Sequence, residues 1–404
     1  MKKLLCGATA LAAFAFAAPA RAEDPPKTWL GGITVTGQVE GGVTANPARP
    51  TDRLNFGHLF TDRANEPLLN QAALTIARTI DPKETGFDVG FKLQGLYGSD
   101  ARYTHFLGEF DRTLRGRNQL DIVEANVTMH LPVLTEAGID LKFGQFSTPM
   151  GAETIDPSTN AFYTHSYIFN FGLPFKQTGG YANLHLTPIL DVYFGVDTGV
   201  NTSFGPRGDN NKSQAVMFGF GLNFMDGALT VLALSHIGPE TPTRTISNAG
   251  RFNRYLNDIT VIYKATDKLT LTTEFNYIKD DFARADAYGL AQYASYAVSD
   301  NVTFNARAEV FRDGRGFFVG AFPGNADFLN AQLGRPATVL GGTNSTYGAL
   351  TFGLTWKPDV PKPLTGLMIR PEIRVDRALN NSRPFNGGRE NSSMTFATDI
   401  ILQF

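Results

Sequence analysis

Large apolar side chains recur at every second residue along most of this chain, with polar or charged groups between them. In "GFDVGFKLQGLYG", Phe87, Val89, Phe91 and Leu93 alternate with Asp88, Lys92 and Gln94. In "VTFNARAEVFR", Val302, Phe304, Ala306, Ala308 and Val310 alternate with Thr303, Asn305, Arg307 and Glu309. The segment "LMIRPEIRVDR" sets Leu367, Ile369, Ile373 and Val375 against Arg370, Glu372, Arg374 and Asp376. A period of two marks β-strands, whose successive side chains point to opposite faces. One face of each strand must therefore meet core or lipid, and the other must meet water. Pro371 breaks the rule on the apolar parity, where it forfeits a ladder hydrogen bond, and predicts a bulge there.

The connections narrow the fold. Short turns at 81–86, 225–227, 266–268 and 299–301 alternate with long polar loops at 45–67, 98–119, 147–178, 238–255, 313–345 and 378–392. That rhythm belongs to outer-membrane barrels, which carry short turns on the periplasmic side and long loops outside. The pattern predicts an all-β fold: a transmembrane antiparallel up-and-down barrel of about sixteen strands, within a range of about 14 to 18, each roughly ten residues long. Aromatic residues near strand ends, among them Trp29, Tyr97, Phe143, Phe224, Tyr277 and Trp356, fit interfacial girdles.

The last strand, "MTFATDIILQF", places Met394, Phe396, Ile400, Leu402 and Phe404 on one parity. Lipid offers no hydrogen bonds, so the sheet can span a bilayer only by closing, with this strand finding the first. An apolar alternating run ending in phenylalanine also looks like the signal read by the outer-membrane assembly machinery.

At the other end, Lys2 and Lys3, the apolar run Leu4 to Ala18 and Ala20-Arg21-Ala22 predict a cleaved signal peptide over 1–22. The remainder, 23–404, is expected to be one barrel domain, because no linker or change of composition divides it. Losing Lys2, Lys3 and Arg21 takes the formal net charge from −2 to −5 and removes Cys6, the single cysteine. This mildly acidic balance gives no reason to expect nucleic acid as a partner. The 41 glycines and 32 phenylalanines suit twisted strands and tight turns.

The segment "LKFGQFSTPMGAETIDPSTNAFYTHSYIFNFGLPFKQTGGY" resembles the OmpL-like β-barrel porin family. Its marks are Gly144-Gln145-Phe146, Thr148-Pro149, Gly151-Ala152-Glu153, Phe162-Tyr163-Thr164-His165-Ser166-Tyr167, Phe171-Gly172-Leu173-Pro174-Phe175 and Thr178-Gly179. The resemblance covers Leu141 to Tyr181 and implies a barrel channel without naming its solute. Physically, a loop so rich in aromatics needs a surface to pack on. Folded into the lumen it would constrict the channel (147–178, with Glu153, Asp156, Tyr163, His165 and Tyr167); packed on neighbouring loops it would only stabilise the rim.

If the charged parity faces the lumen, Lys142, Arg307, Arg370 and Arg374 line the pore together with Glu124, Glu309, Glu372 and Asp376. Lys92, Lys264, Asp88, Asp140, Asp191, Asp197, Asp258 and Glu274 extend the wall. The acids outnumber the bases, so a weak cation preference is expected, unless the charges merely pair across strands. Arg307, Arg370 and Arg374 would face Glu153 or Asp156 across the passage.

The six histidines show no paired metal spacing, and no G-x-S-x-G, phosphate cradle or H-E-x-x-H occurs. No metal, cofactor or catalytic site is expected. The Arg112–Arg117 run suggests lipopolysaccharide contact, and Arg207-Gly208-Asp209 spells an adhesion tripeptide. Outer-membrane passage of small hydrophilic solutes or ions is the function expected, possible as a monomer or a homotrimer. A solute-specific channel, a closed structural or adhesive barrel and a barrel hydrolase are the alternatives.

Overall fold

The structure, a computed structural model, describes residues 28–81, 86–111, 116–205, 207–319 and 344–404. The signal-peptide segment lies outside them, as do residues 112–115 of the arginine-rich run. Sixteen antiparallel strands close into one ring in sequence order. They are β1 (Thr34–Ala45), β2 (Pro67–Arg78), β3 (Asp88–Gly98), β4 (Gln119–Leu131), β5 (Ile139–Ser147), β6 (Lys176–His185), β7 (Leu190–Asp197) and β8 (Ala215–Phe224), followed by β9 (Leu229–Pro239), β10 (Asn253–Lys264), β11 (Leu269–Asp280), β12 (Ala285–Ser299), β13 (Val302–Asp313), β14 (Ser345–Trp356), β15 (Gly366–Ala378) and β16 (Ser392–Gln403). The strand count and the alternation of turns and loops agree with the sequence, with one exception: β11 and β12 join on the long-loop side through only 281–284.

The parity argument holds around the ring. Leu93, Phe143, Phe304, Leu350, Phe396 and Ile400 are exposed on the outer face, where lipid replaces water. Of the girdle candidates, Trp29, Tyr97, Phe143, Phe224 and Trp356 are exposed and Tyr277 is half-buried.

Closure is made by β1 and β16, in register from Gln38 opposite Gln403 to Ala45 opposite Phe396. Phe404 extends the ladder, donating its N–H to the Gly37 carbonyl (2.9 Å) and accepting from the Gly37 N–H (2.8 Å). A side chain at position 37 would place its Cβ 2.3 Å from the Phe404 ring, so the glycine leaves a seat for the terminal aromatic.

The expected bulge at Pro371 is not there. β15 keeps one register with β16 throughout, Pro371 facing Thr398, and its register with β14 is the same on either side of the proline. Only the β14 ladder lapses between the Gly353–Glu372 and Trp356–Ile369 pairs. The missing N–H therefore costs local pairing and leaves the register intact, because Pro371 is outward and needs no change of face. Register shifts occur instead at Glu40/Gly41, Gln94/Gly95 and Ala297/Ser299.

Candidate functional site

The 148–175 connection between β5 and β6 does not stand outside the barrel. Its local shape is set by short-range bonds: Asp156 accepts from the Ser158 N–H (3.0 Å) at the start of the turn Pro157–Thr159. Ser166 accepts from the Phe169 N–H (3.0 Å) and caps the short helix Tyr167–Gly172. Asn160 closes the turn between them, accepting from the Thr154 N–H (2.9 Å) and donating to the Thr154 carbonyl (2.8 Å).

This loop is fastened along the inward face of β15, rung by rung. Arg370 donates to the carbonyls of Pro157 and Asn160, each at 2.7 Å. Glu372 accepts from the backbone N–H groups of Tyr163 (2.8 Å) and Thr164 (3.3 Å), and from the Thr164 hydroxyl. Arg374 donates to the His165 carbonyl (2.6 Å), and Asp376 accepts from the Tyr167 hydroxyl (3.0 Å). Successive inward residues of one strand thus hold successive stretches of loop, spanning roughly 20 Å at about 3.3 Å per residue. From β13, Glu309 accepts from the Tyr167 N–H (2.7 Å), and Arg307 donates to Glu153 (2.6 Å) and to the Thr164 carbonyl (2.8 Å).

The loop also reaches the other strands of this arc. Gln38 of β1 donates to Asp156 (3.2 Å), and the Tyr163 hydroxyl donates to Asn70 of β2 (2.8 Å). On the far side, the Ala152 N–H donates to Glu274 of β11 (3.0 Å) and the Tyr293 hydroxyl of β12 donates to Glu153 (3.1 Å). Contacts from β1, β2, β11, β12, β13 and β15 place the loop across the lumen.

Its apolar side packs as well. His165 stacks on Phe169 at 4.2 Å, Tyr167 on Tyr347 at 5.2 Å, and Phe60 from the β1–β2 loop meets Phe175 edge-on at 5.4 Å. Two wall glycines make room. A Cβ on Gly42 would lie 2.6 Å from the Tyr163 ring, and one on Gly289 would lie 2.6 Å from Ile168.

The charged groups are therefore inward but largely withdrawn from solvent. Seven of the eight wall candidates, Glu124, Arg307, Glu309, Arg370, Glu372, Arg374 and Asp376, are buried, and Lys142 alone is half-buried. Arg370 pairs with Asp399 and Glu40, while Arg374 pairs with Asp376 (2.8 Å) and Glu309 (3.3 Å). The expected arginine wall does face the loop, but only Arg307 meets an acid of it directly. Arg370 and Arg374 bind loop carbonyls instead. Asp156 is half-buried and its Oδ1 is taken by Gln38 and Ser158.

Electrostatics follow from this packing. Burial pushes the Glu153 carboxyl up, but Arg307, His165 and the Ser166 N–H outweigh it and hold it at about 2. Burial raises the Tyr163 and Tyr167 hydroxyls, with nearby carboxylates adding to it. Burial, with Arg374 close by, lowers His58 even though Asp376 lies 3.2 Å away.

Several participants had no signal in sequence spacing. All six histidines sit within hydrogen-bond reach of a carboxylate: His58 with Asp376, His105 with Asp111, His130 with Asp140, His165 with Glu153, His185 with Asp140 and Asp191, and His236 with Asp197. Lys176 and Asp121 form a fully buried pair at 2.5 Å. The wall glycines Gly42 and Gly289 were visible as residues lacking a side chain on inward parity, although their partners were not. Among the described residues no group of three or more histidine, cysteine, aspartate or glutamate side chains is arranged to hold a metal ion. The Arg-Gly-Asp carboxylate is turned into its own loop, accepting from the N–H groups of Asn211 (2.9 Å) and Lys212 (2.7 Å). Arg117 is tied to Glu66 at 2.6 Å.

Known structures share this architecture. The outer membrane channel DcaP of Acinetobacter baumannii superposes with a TM-score of 0.53 at 11% identity, over 92% of this chain and 96% of that one. OmpF of Salmonella typhi, solved with daunomycin, gives 0.57 at 10% identity over 92% and 97%. A trimer form of OmpT from Vibrio cholerae gives 0.50 at 10% identity over 92% and 98%. At such identities these likenesses concern the fold. No curated protein matches the sequence significantly. A family model matches residues 32–404, nearly the whole chain, and so the protein belongs to the β-barrel porin family described as "Putative beta-barrel porin-2, OmpL-like".

Proposed function

We propose that the β5–β6 loop is the constriction of an outer-membrane porin through which small hydrophilic solutes or ions diffuse passively. The single observation that carries this reading is the row of four inward β15 residues, Arg370, Glu372, Arg374 and Asp376, holding residues 157–167 across the lumen. A loop fixed by its own backbone keeps one cross-section without needing a solute to order it. The family and the fold are those of a channel rather than an enzyme.

Residues 1–22 act as a cleaved export signal in this reading, and the β16 strand with Phe404 presents itself to the assembly machinery. The outer face meets membrane lipid, and the long-loop rim meets lipopolysaccharide. Assembly as a homotrimer, the form in which the Vibrio OmpT neighbour was solved, is tested by crosslinking in native membranes.

One observation favours a second reading. The apolar cluster of Phe60, Tyr103, Phe162, Tyr167, Phe169 and Phe175 lies inside the ring and packs like a domain core. A barrel filled in this way could serve structure or adhesion instead of passage. Single-channel recording in planar bilayers separates the two. Stepwise openings establish the pore; silence from a correctly folded barrel leaves the closed barrel standing.

A further inference from the structure

Counting inward charges by sequence makes the lumen acidic, yet the inward strand charges most open to solvent are lysines, Lys92 and Lys264. On the β11–β2 side the arginines and their acids are mutually paired and sealed beneath the loop. Glu40, Glu274, Glu309, Glu372, Asp376 and Asp399 are all buried. A charge neutralised by a partner beneath a protein layer contributes little to the field in the water column. The arc from β3 to β6, which makes none of these polar bonds to the loop, is different.

Lys92 of β3 leaves 42% of its side chain exposed, and its nearest acid, Glu124, lies 3.7 Å away. Glu124 is itself drawn into the wall, accepting from Asn126 and from the Ser147 N–H (3.3 Å). Lys142 of β5, two strands on, makes no ion pair among the described residues. Its ammonium rests 5.6 Å from the centre of the Tyr181 ring. The inward acid most open to water on this arc is Asp140, 28% exposed, and it is bracketed by His130 Nδ1 (2.7 Å) and His185 Nε2 (3.2 Å). Asp191 is buried and engaged by His185 Nδ1 (2.8 Å). On the loop side the half-buried acid is Asp156, already held by Gln38 and Ser158. At the short-turn rim Lys264 is exposed on the same inward parity.

The wall beside these lysines is also spare. Gly144 and Gly179 face each other across β5 and β6, and Gly195 lies opposite Tyr181 across β6 and β7. Three inward positions without side chains lower the wall beside Lys142 and Tyr181.

We infer that Lys92 and Lys142 set the charge selectivity of the channel, and that its preferred cargo is small anionic solutes of the carboxylate class. The inference rests on the porin reading and deepens it. The exposed ammonium of Lys92 and the half-buried one of Lys142, in a confined, low-dielectric channel, focus a positive potential over a distance comparable with the Debye length, about 8 Å at physiological salt. Anions are concentrated there, whereas the buried acids add no competing attraction.

The test is a reversal-potential measurement on the protein in planar bilayers under a potassium chloride gradient, paired with liposome swelling in glucuronate against glucose. The expected result is anion preference in the wild type, faster relative uptake of glucuronate, and a permeability ratio that falls towards one in the K92Q/K142Q double variant. K142E moves the ratio towards cations. A conducting channel that prefers cations, or whose preference is untouched by these substitutions, overturns the assignment while leaving the pore intact. A folded barrel that never conducts fails the porin reading itself and takes this inference with it.

Discussion

Two arcs of one barrel wall carry the same residue types and use them differently. From β11 through β16 to β2, inward charges meet the loop and are buried; Arg374 retains 0% exposure. On β3 and β5, Lys92 and Lys142 make no ion pair or hydrogen bond to the loop among the described residues and keep contact with solvent. Parity sends both sets inward. What lies opposite decides whether a charge becomes a fastener or part of a field. Strand pattern alone sets the arginines and the lysines together on the inward face, and only the packing separates the buried arginines from Lys92 and Lys142.

The largest effect is expected from breaking the fastened arc. Arg370→Met leaves the Glu40 and Asp399 carboxylates without their cation and frees two loop carbonyls. Removing one partner of a buried ion pair costs about 3–5 kcal/mol. Thermal unfolding of the refolded barrel should shift down accordingly, and surviving channels should show larger, noisier openings. Unchanged stability and quiet openings would mean that the arginine fastens nothing.

Gly42→Val acts on the same arc through shape. Its Cβ would fall 2.6 Å from the Tyr163 ring and 2.8 Å from the Thr398 carbonyl, so the loop must move. Overpacking of this kind costs about 1–3 kcal/mol. A change in single-channel conductance is the readout, and an unchanged conductance would show that the loop does not sit where Tyr163 places it.

Acid tests the loop's charged anchor. Glu153 is held at about 2, below its ordinary value near 4.5. A carboxylate depressed on folding contributes stability that is complete above its unfolded pKa and fades as pH falls through the folded one. Loop anchoring should therefore weaken from about pH 4.5 down to about 2, seen as rising current fluctuation. Glu153→Gln should flatten that dependence. A wild type whose current noise is the same at pH 5 and pH 2.5 would remove Glu153 from the set of anchors.

On the open arc the smallest effect on stability is expected. Lys92→Gln removes an exposed ammonium with a loose partner, so unfolding should move by less than about 0.5 kcal/mol. Its ion preference should nevertheless change. A variant that lost much stability and kept its preference would erase the difference between the arcs.

Much of the fold was legible because lipid leaves a β-sheet so little choice. Closed strands must bury every backbone group and present apolar residues outward, which writes period-two alternation through each strand, from Leu93 to Phe396. The loop was legible as an element seeking a surface, since six aromatics within residues 162–175 cannot stay in water. Pro371 was misread because the loss of one ladder hydrogen bond on the apolar parity was taken to require a bulge, when the neighbouring ladders were enough to keep the strand in register.

The amino-acid sequence by itself determined a count of about sixteen strands, the face of most strand residues and the terminal strand that closes the ring, because these follow from local alternation and hydrogen-bond closure. The register shifts at Glu40/Gly41, Gln94/Gly95 and Ala297/Ser299 it did not place. Only the tertiary structure decided which inward charges touch water. That depends on where residues 157–167 lie relative to strands some two hundred positions later, as when Glu372 meets Tyr163. Pairings at that separation leave no periodic trace in the chain, for they are set by the packing of a loop against a wall that exists only once the barrel has closed.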